Sequence, residues 1–174
     1  LEHALPGDTG IVVIGSPELA SQALNARGDV EVFVADTTGD GYGLVHRLDL
    51  NDRLAVDVPL AGLGSAVGDA DLVLLETDAL GPDSAICSVG SLTAAAVAAQ
   101  LGTEVWLVAG VGRCLPAAMW EPLRAMIVSD EPWEDRYEVV SLDLVDRVVG
   151  PGGPVPAAEA RFRIDCPVAP ELFR

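Results

Sequence analysis

Two side chains stand out as groups able to exchange a proton with a substrate. Asp78 follows the apolar run Leu72-Val73-Leu74-Leu75, and Cys87 lies a short way beyond it. General acid-base chemistry needs two such groups with separately tuned proton affinities. Each also has a plainer reading. A strand-end aspartate caps local backbone amides, and a cysteine ahead of an alanine-rich helix packs as a small buried hydrophobe. Gly15-Ser16 and Gly90-Ser91 precede helical segments, whose exposed first amides attract an anion such as phosphate. Arg113 follows the carboxyl end of a strand. It is the best-placed single cation for that phosphate, or else an ordinary surface partner for one of the 27 acidic residues. Asp36, with Thr37 beside it, offers oxygens to sugar or ribose hydroxyls; its alternative is an Asx turn opening the loop towards Gly41.

Composition narrows this chemistry. The formal charge is −17, and all ten basic residues are arginine because the sequence contains no lysine. A Schiff base, a Walker-type lysine and a lysine general base are therefore excluded for this chain alone. Ten scattered arginines do not build the concentrated basic face that nucleic acid requires, so nucleic acid is not an expected partner. Cys87, Cys114 and Cys166 lack metal-ligand spacing, and His3 and His46 lie near none of them, so no metal site is expected. No cofactor is called for either. An odd cysteine count, no signal-like start and no apolar run near the length of a membrane span favour a reducing cytoplasm.

The elements that must position these residues alternate between strand and helix. Apolar runs predict strands over 10–14, 30–35, 54–58, 71–75 and 104–109, the fourth ending at Asp78. Helical segments are expected over 17–26, where Ser16 can cap the first turn, near 42–49, over 91–101 and near 142–149, with a turn or short helix over 61–67. A last strand is expected at 137–140. Gly39-Asp40-Gly41-Tyr42-Gly43 lacks the order of a dinucleotide fingerprint and reads as a flexible turn. The rhythm predicts an α/β fold with a doubly wound, mostly parallel, Rossmann-like sheet. Residues 1–174 form one domain in this reading, with 150–174 as a wrapping C-terminal tail. Ligands on such sheets bind beyond the carboxyl ends of the strands, which gathers Gly15-Ser16, Asp36 to Thr38, Glu76 to Asp78 and Gly110 to Arg113 on one rim.

Along the fourth and fifth strands the motif Asp71-Leu72-Val73-Leu74-Leu75-Glu76-Thr77-Asp78, then Gly90-Ser91-Leu92, a helix and Val105-Trp106-Leu107-Val108-Ala109, resembles a known family. It is similar to the C-terminal domain shared by methylthioribose-1-phosphate isomerase, ribose-1,5-bisphosphate isomerase and the alpha, beta and delta subunits of translation initiation factor 2B. Val32-Phe33-Val34-Ala35-Asp36-Thr37-Thr38 resembles that family's strand ending in Glu-Thr-Arg-Pro, and Cys166-Pro167-Val168-Ala169-Pro170-Glu171-Leu172 resembles its Asp-Val-Thr-Pro-Pro-Glu-Leu close. The resemblance implies the same fold and, for Asp78, the place of an aspartate that is an active-site acid or base in the isomerases. Cys87-Ser88 stands where the family has Asn-Lys, Thr38 where it has arginine, and Arg113-Cys114-Leu115 where it has Lys-Phe-Asp. The family's helical N-terminal domain has no counterpart in these 174 residues.

Three functions follow as expectations. The first is a non-catalytic relative that binds a phosphorylated sugar or nucleotide near Asp36, Asp78, Gly90 and Arg113, in a regulatory or scaffolding role. The second is an aldose-ketose isomerase of a pentose 1-phosphate, with Asp78 and Cys87 as its proton-transfer pair, completed by another segment or subunit. The third is an interaction domain whose pocket has filled in. The resemblance further implies association as a homodimer or with a related subunit. Pro116 to Trp133, rich in proline and apolar residues, is the expected cover for a partner surface.

Overall fold

The chain is described from a computed structural model that covers residues 1–37, 39–127, 129–160, 162–164 and 166. Its elements in chain order are β1 (Thr9–Ile14), α1 (Glu18–Ala26), β2 (Val30–Asp36), α2 (Gly41–Asp49), β3 (Leu54–Pro59), α3 (Leu63–Asp69), β4 (Leu72–Leu80) and β5 (Ser84–Ser88). Then come α4 (Ser91–Leu101), β6 (Glu104–Ala109), α5 (Ala117–Ile127), β7 (Tyr137–Ser141), β8 (Arg147–Gly150), β9 (Gly153–Pro156) and α6 (Ala157–Ala160). Among the described residues the strands form one sheet in the order β3-β2-β1-β4-β6-β8-β9, with β5 attached to β4 and β7 to β5. From β3 through β8 every pairing on that path is parallel.

The apolar runs explain the layering. Successive strand side chains face opposite sides, so a strand buried on both faces must be apolar at every position. In β1, Ile11 and Val13 join the core under α1 and α2, with Ala20, Ala23, Leu24, Leu44 and Leu48. Val12 and Ile14 join the core on the other face, with Ala94, Ala95 and Ala98 of α4. Alanines let α4 lie close to the sheet. The strand order reverses between β1 and β4, which makes the space beyond their carboxyl ends the topological switch point.

Two expectations are corrected. β4 does not end at Asp78: it runs on to Leu80 and pairs antiparallel with β5, Thr77 with Cys87 and Ala79 with Ile86. Asp78 is thus the extra residue of a β-bulge, turned to solvent between buried Thr77 and Ala79. The Thr77 hydroxyl holds the bulge shut, lying 2.7 Å from both the Ala79 and the Ile86 carbonyl oxygens. Second, no helix spans 142–149. Leu142, Val145 and Val149 have helical spacing, but β6 presents an open edge, and Val148 and Val149 extend along it as β8 opposite Leu107 and Val108. Within residues 150–174, expected as a wrapping C-terminal tail, Gly153–Pro156 returns antiparallel on β8 and Ala157–Ala160 forms α6.

The first part of the segment expected to cover a partner packs on this chain's own hairpin. Trp120 of α5 is fully buried against Ala79 and Ile86. A Cβ added at Gly81, in the β4–β5 turn, would stand 2.2 Å from the indole ring. Only the bare α-carbon lets the turn pass beneath the ring. Gly81→Ala should therefore destabilise the protein by about 3 kcal/mol through overpacking. The measurement is the urea midpoint, and tryptophan emission should shift to the red in the same variant.

Candidate functional site

A cleft of about 220 Å³ opens at the switch point, lined by Gly15 and Ser16 after β1, Glu18 of α1, Glu76 and Asp78 of β4, and Ser91 of α4. Asp40, Ser88, Arg113 and Tyr137 complete its polar wall. Five of the residues expected at a site thus meet: Gly15, Ser16, Asp78, Ser91 and Arg113. Four do not line it: Cys87, Asp36, Thr37 and Gly90.

The reasons are local. Cys87 faces the core from β5 with no exposure, and burial pushes its thiol up to about 12, against a hydrogen bond with Thr77 that acts downward. A thiol so placed stays protonated at neutral pH and out of reach of anything in the cleft. The Asp36 carboxylate turns into its own loop and accepts the Gly39 amide, three residues on, at 2.6 Å. The loop is short, because Gly41 already begins α2. Gly90 has φ +98°, and a Cβ there would stand 2.6 Å from the Thr37 methyl group. The two residues therefore pack on each other behind the cleft wall. The Thr37 hydroxyl oxygen is buried without a hydrogen-bond partner among the described residues.

The electrostatics follow from how α1 and α4 begin. A helix start leaves its first amides unpaired and carries partial positive charge. Ser16 does not cap α1: the cap position is Pro17, and the Ser16 hydroxyl accepts Arg47 at 3.0 Å. The α1 amides are met from another strand. One carboxylate oxygen of Glu76 accepts Leu19 N–H at 2.8 Å and Ala20 N–H at 3.0 Å. Its other oxygen accepts Arg113 at 3.2 Å, and the same guanidinium donates to the Thr77 carbonyl at 2.6 Å. Arg113 is thus held inside the protein's own network.

The start of α4 is closed in the same way. Glu138 of β7 accepts the Leu92 N–H and is also drawn on by the Gly90 amide. Glu138 is half-buried, and that burial raises its carboxyl above the ordinary value despite the two amides. Both helix starts read from the sequence as anion seats are therefore occupied by carboxylates of this chain. Around the cleft stand Glu18, Asp40, Glu76 and Asp78 against Arg113, which gives an acidic lining. Among the described residues no cluster of histidine, cysteine or acidic side chains is arranged to hold a metal ion. No described helix is long and apolar enough to cross a membrane.

Of the two residues that decide the character of the site, sequence places Glu76 on the rim without a binding role and gives Glu138 none. Glu76 had a signal, since it stands two positions before Asp78 on the same strand. Glu138 had none, because its place depends on β5 pairing with β7, Cys87 opposite Glu138 and Ser88 opposite Tyr137.

Comparison with known proteins bears on the fold. The chain matches no protein-family model and no curated protein sequence. Solved structures do match. The eIF2B beta subunit of Chaetomium thermophilum superposes with a TM-score of 0.70 at 17% identity, over 89% of this chain and 49% of that one. Translation initiation factor eIF-2B of Pyrococcus horikoshii OT3 gives 0.74 at 10% identity, over 89% of this chain and 61% of its own. The delta subunit of the A. fulgidus factor gives 0.72 at 11%, over 91% and 56%. The fold is that of the eIF2B subunits. The likeness at these identities concerns the fold alone, and the chain spans roughly half to three fifths of the length of each of these structures.

Two measurements test the site as described. In the native protein at pH 8, a thiol reagent should leave Cys87 unmodified and reach it only on unfolding, as read by peptide mass spectrometry. Glu138 supplies a pH dependence. A carboxyl whose folded value is raised binds more protons folded than unfolded, so its contribution to stability falls as pH rises from the ordinary value through the raised one. Glu138→Gln should remove that component of the slope, measured as urea midpoints from pH 4 to pH 7.

Proposed function

We propose that this chain is a non-catalytic scaffolding domain of the eIF2B type, which associates with a second copy or a related subunit. The observation that carries the reading is the Glu76 carboxylate, seated on the α1 amides and bound to Arg113. A phosphate bound at the switch point of such a sheet would draw on those same donors. With Glu138 at α4 and an acidic lining between, the cleft repels a phosphorylated sugar or nucleotide rather than binding it. The isomerase alternative has its carboxyl, Asp78, in the cleft, but its thiol, Cys87, is buried outside it and protonated. Support for association comes from one of the similar structures, the tetrameric eIF2B-beta2-delta2 complex from C. thermophilum. It superposes with a TM-score of 0.58 at 24% identity, over 62% of this chain and 37% of that one.

Light scattering at micromolar concentration should give a mass above the 18.0 kDa of one chain. A mass of one chain, with no association to a related subunit added in excess, would overturn the scaffolding reading. A thermal-shift panel of sugar phosphates and nucleoside monophosphates should leave the wild-type midpoint unchanged. Stabilisation by several degrees from any of them would return the pocket to ligand binding.

Glu76 can be tested directly. Glu76→Ala leaves two helix amides and a largely buried guanidinium without their acceptor, and should cost about 2–4 kcal/mol in urea unfolding. Inorganic phosphate at millimolar concentration should restore part of that loss in the variant while leaving the wild type unaffected.

A further inference from the structure

Cys114 and Cys166 lie far apart in sequence but adjacent in the fold. Cys114 follows β6 and bridges Leu80 at the end of β4, with the Leu80 N–H donating to the Arg113 carbonyl at 2.8 Å and the Leu115 N–H to the Leu80 carbonyl at 2.8 Å. Those two bonds use the backbone groups on either side of Cys114. The Cys114 carbonyl points the other way, and there it accepts the Cys166 N–H at 3.2 Å. A backbone bond of this length holds the two α-carbons within about 7 Å, and ladder partners commonly lie near 5 Å. Disulfides span about 4.4–6.8 Å between α-carbons. Both residues are thiols here, and each is partly exposed, in contrast to buried Cys87.

Cys114 also borders an apolar cavity of about 250 Å³, walled by Ala109, Val148, Val155 and Ala160 and rimmed by Arg163. The cavity lies between the sheet edge and the chain at Ala160 and Arg163, ahead of Cys166. Anchoring Cys166 to Cys114 would fasten that stretch across the cavity's side. Ahead of Cys166 the Phe162 N–H donates to the Glu159 carbonyl and the Arg163 N–H to the Ala160 carbonyl.

We propose that Cys114 and Cys166 form a reversible redox clasp, closing as a disulfide that fastens the chain after α6 to the end of β6. The oxidant is a small-molecule disulfide of the glutathione class. One cysteine thiolate attacks a sulfur of the oxidised glutathione, forming a protein mixed disulfide and releasing one glutathione thiolate. The second cysteine thiolate then attacks the protein sulfur of that mixed disulfide, forming the Cys114–Cys166 bond and releasing the second glutathione thiolate. Two protein thiols are oxidised, one glutathione disulfide is reduced to two glutathiones, and each departing thiolate takes up one of the protons the cysteines lost. The glutathione poise of a reducing compartment keeps the clasp open, and an oxidising shift closes it.

The test uses the full native chain in glutathione buffers of graded ratio, quenched with acid and alkylated. Intact mass should show closure as a loss of two hydrogens with no glutathione retained, and accessible thiols should fall from two to none while Cys87 remains reduced. A non-reducing tryptic digest should then hold the peptide after Arg163 to the peptide containing Cys114, and reduction should separate them. Cys114→Ser and Cys166→Ser should each keep one glutathione adduct instead of resolving it. Accumulation of a doubly glutathionylated wild type, or cross-links only between chains, would overturn the proposal. Cys114 packs against the core, so Cys114→Ser should lower the unfolding midpoint slightly, whereas Cys166→Ser should match the reduced wild type and carries the same resolving test without a change in the fold.

Discussion

The junction at Glu76 joins three parts of the chain that sequence keeps apart. Its carboxylate sits on β4, takes two amides from the start of α1, and takes the guanidinium of Arg113 from the loop after β6. Taking a carboxylate out of water costs several kcal/mol unless its lone pairs are met, and here three donors meet them at one point. The helix loses the penalty of an uncapped start, the arginine gains a fixed orientation, and the strand gains a tie across the switch point. The cleft takes its shape from this junction, and so does its chemistry. The donors that would hold a ligand phosphate are the donors that hold Glu76.

The composition makes that outcome intelligible. With no lysine and a formal charge of −17, the chain has carboxylates in abundance and few cations to spend near a ligand. A helix start that needs an anion finds one in the protein itself. The same solution at α4, with Glu138 reaching from β7, indicates a general mode of capping in this chain rather than an accident at one helix. The fold of the eIF2B subunits is thus shared, while the groups that line this chain's crevice are mostly acidic. Fold and function are separable for this reason: the first depends on apolar periodicity, the second on a few polar atoms.

The parallel sheet was legible because its central strands are mostly apolar: 11–14 is wholly so, and 30–35 and 104–109 are interrupted only by the exposed Glu31 and Glu104. The rim was legible too, since strand ends are where such sheets present their loops, and Gly15, Ser16, Asp78, Ser91 and Arg113 do gather there. What sequence could not show was the hairpin. Leu80 to Ser88 carries a glycine, a proline and a small apolar run, which suits a loop as well as a turn and a strand, and nothing in that run announces that β4 continues beyond the sheet. Missing β5 meant missing which face Cys87 takes, and missing β7 as its partner hid Glu138. The valines after Leu144 misled for a related reason: their spacing fits a helix, and only the open edge of β6 decides for a strand.

The hairpin and the cleft also depend on each other mechanically. Glu138 reaches α4 only because β7 is held by β5; β5 is held by the far end of β4; and that end is offset by the bulge that Thr77 closes. Trp120 then clamps the turn at Gly81 from outside. Loosening any of these contacts would draw Glu138 away from the α4 amides and would shift Asp78, Ser88 and Tyr137 of the cleft wall with it. The acidic closure of the cleft is therefore a property of the whole hairpin layer. An anion could gain entry at α4 by a shift of that layer, whereas entry at α1 requires breaking the Glu76–Arg113 pair itself.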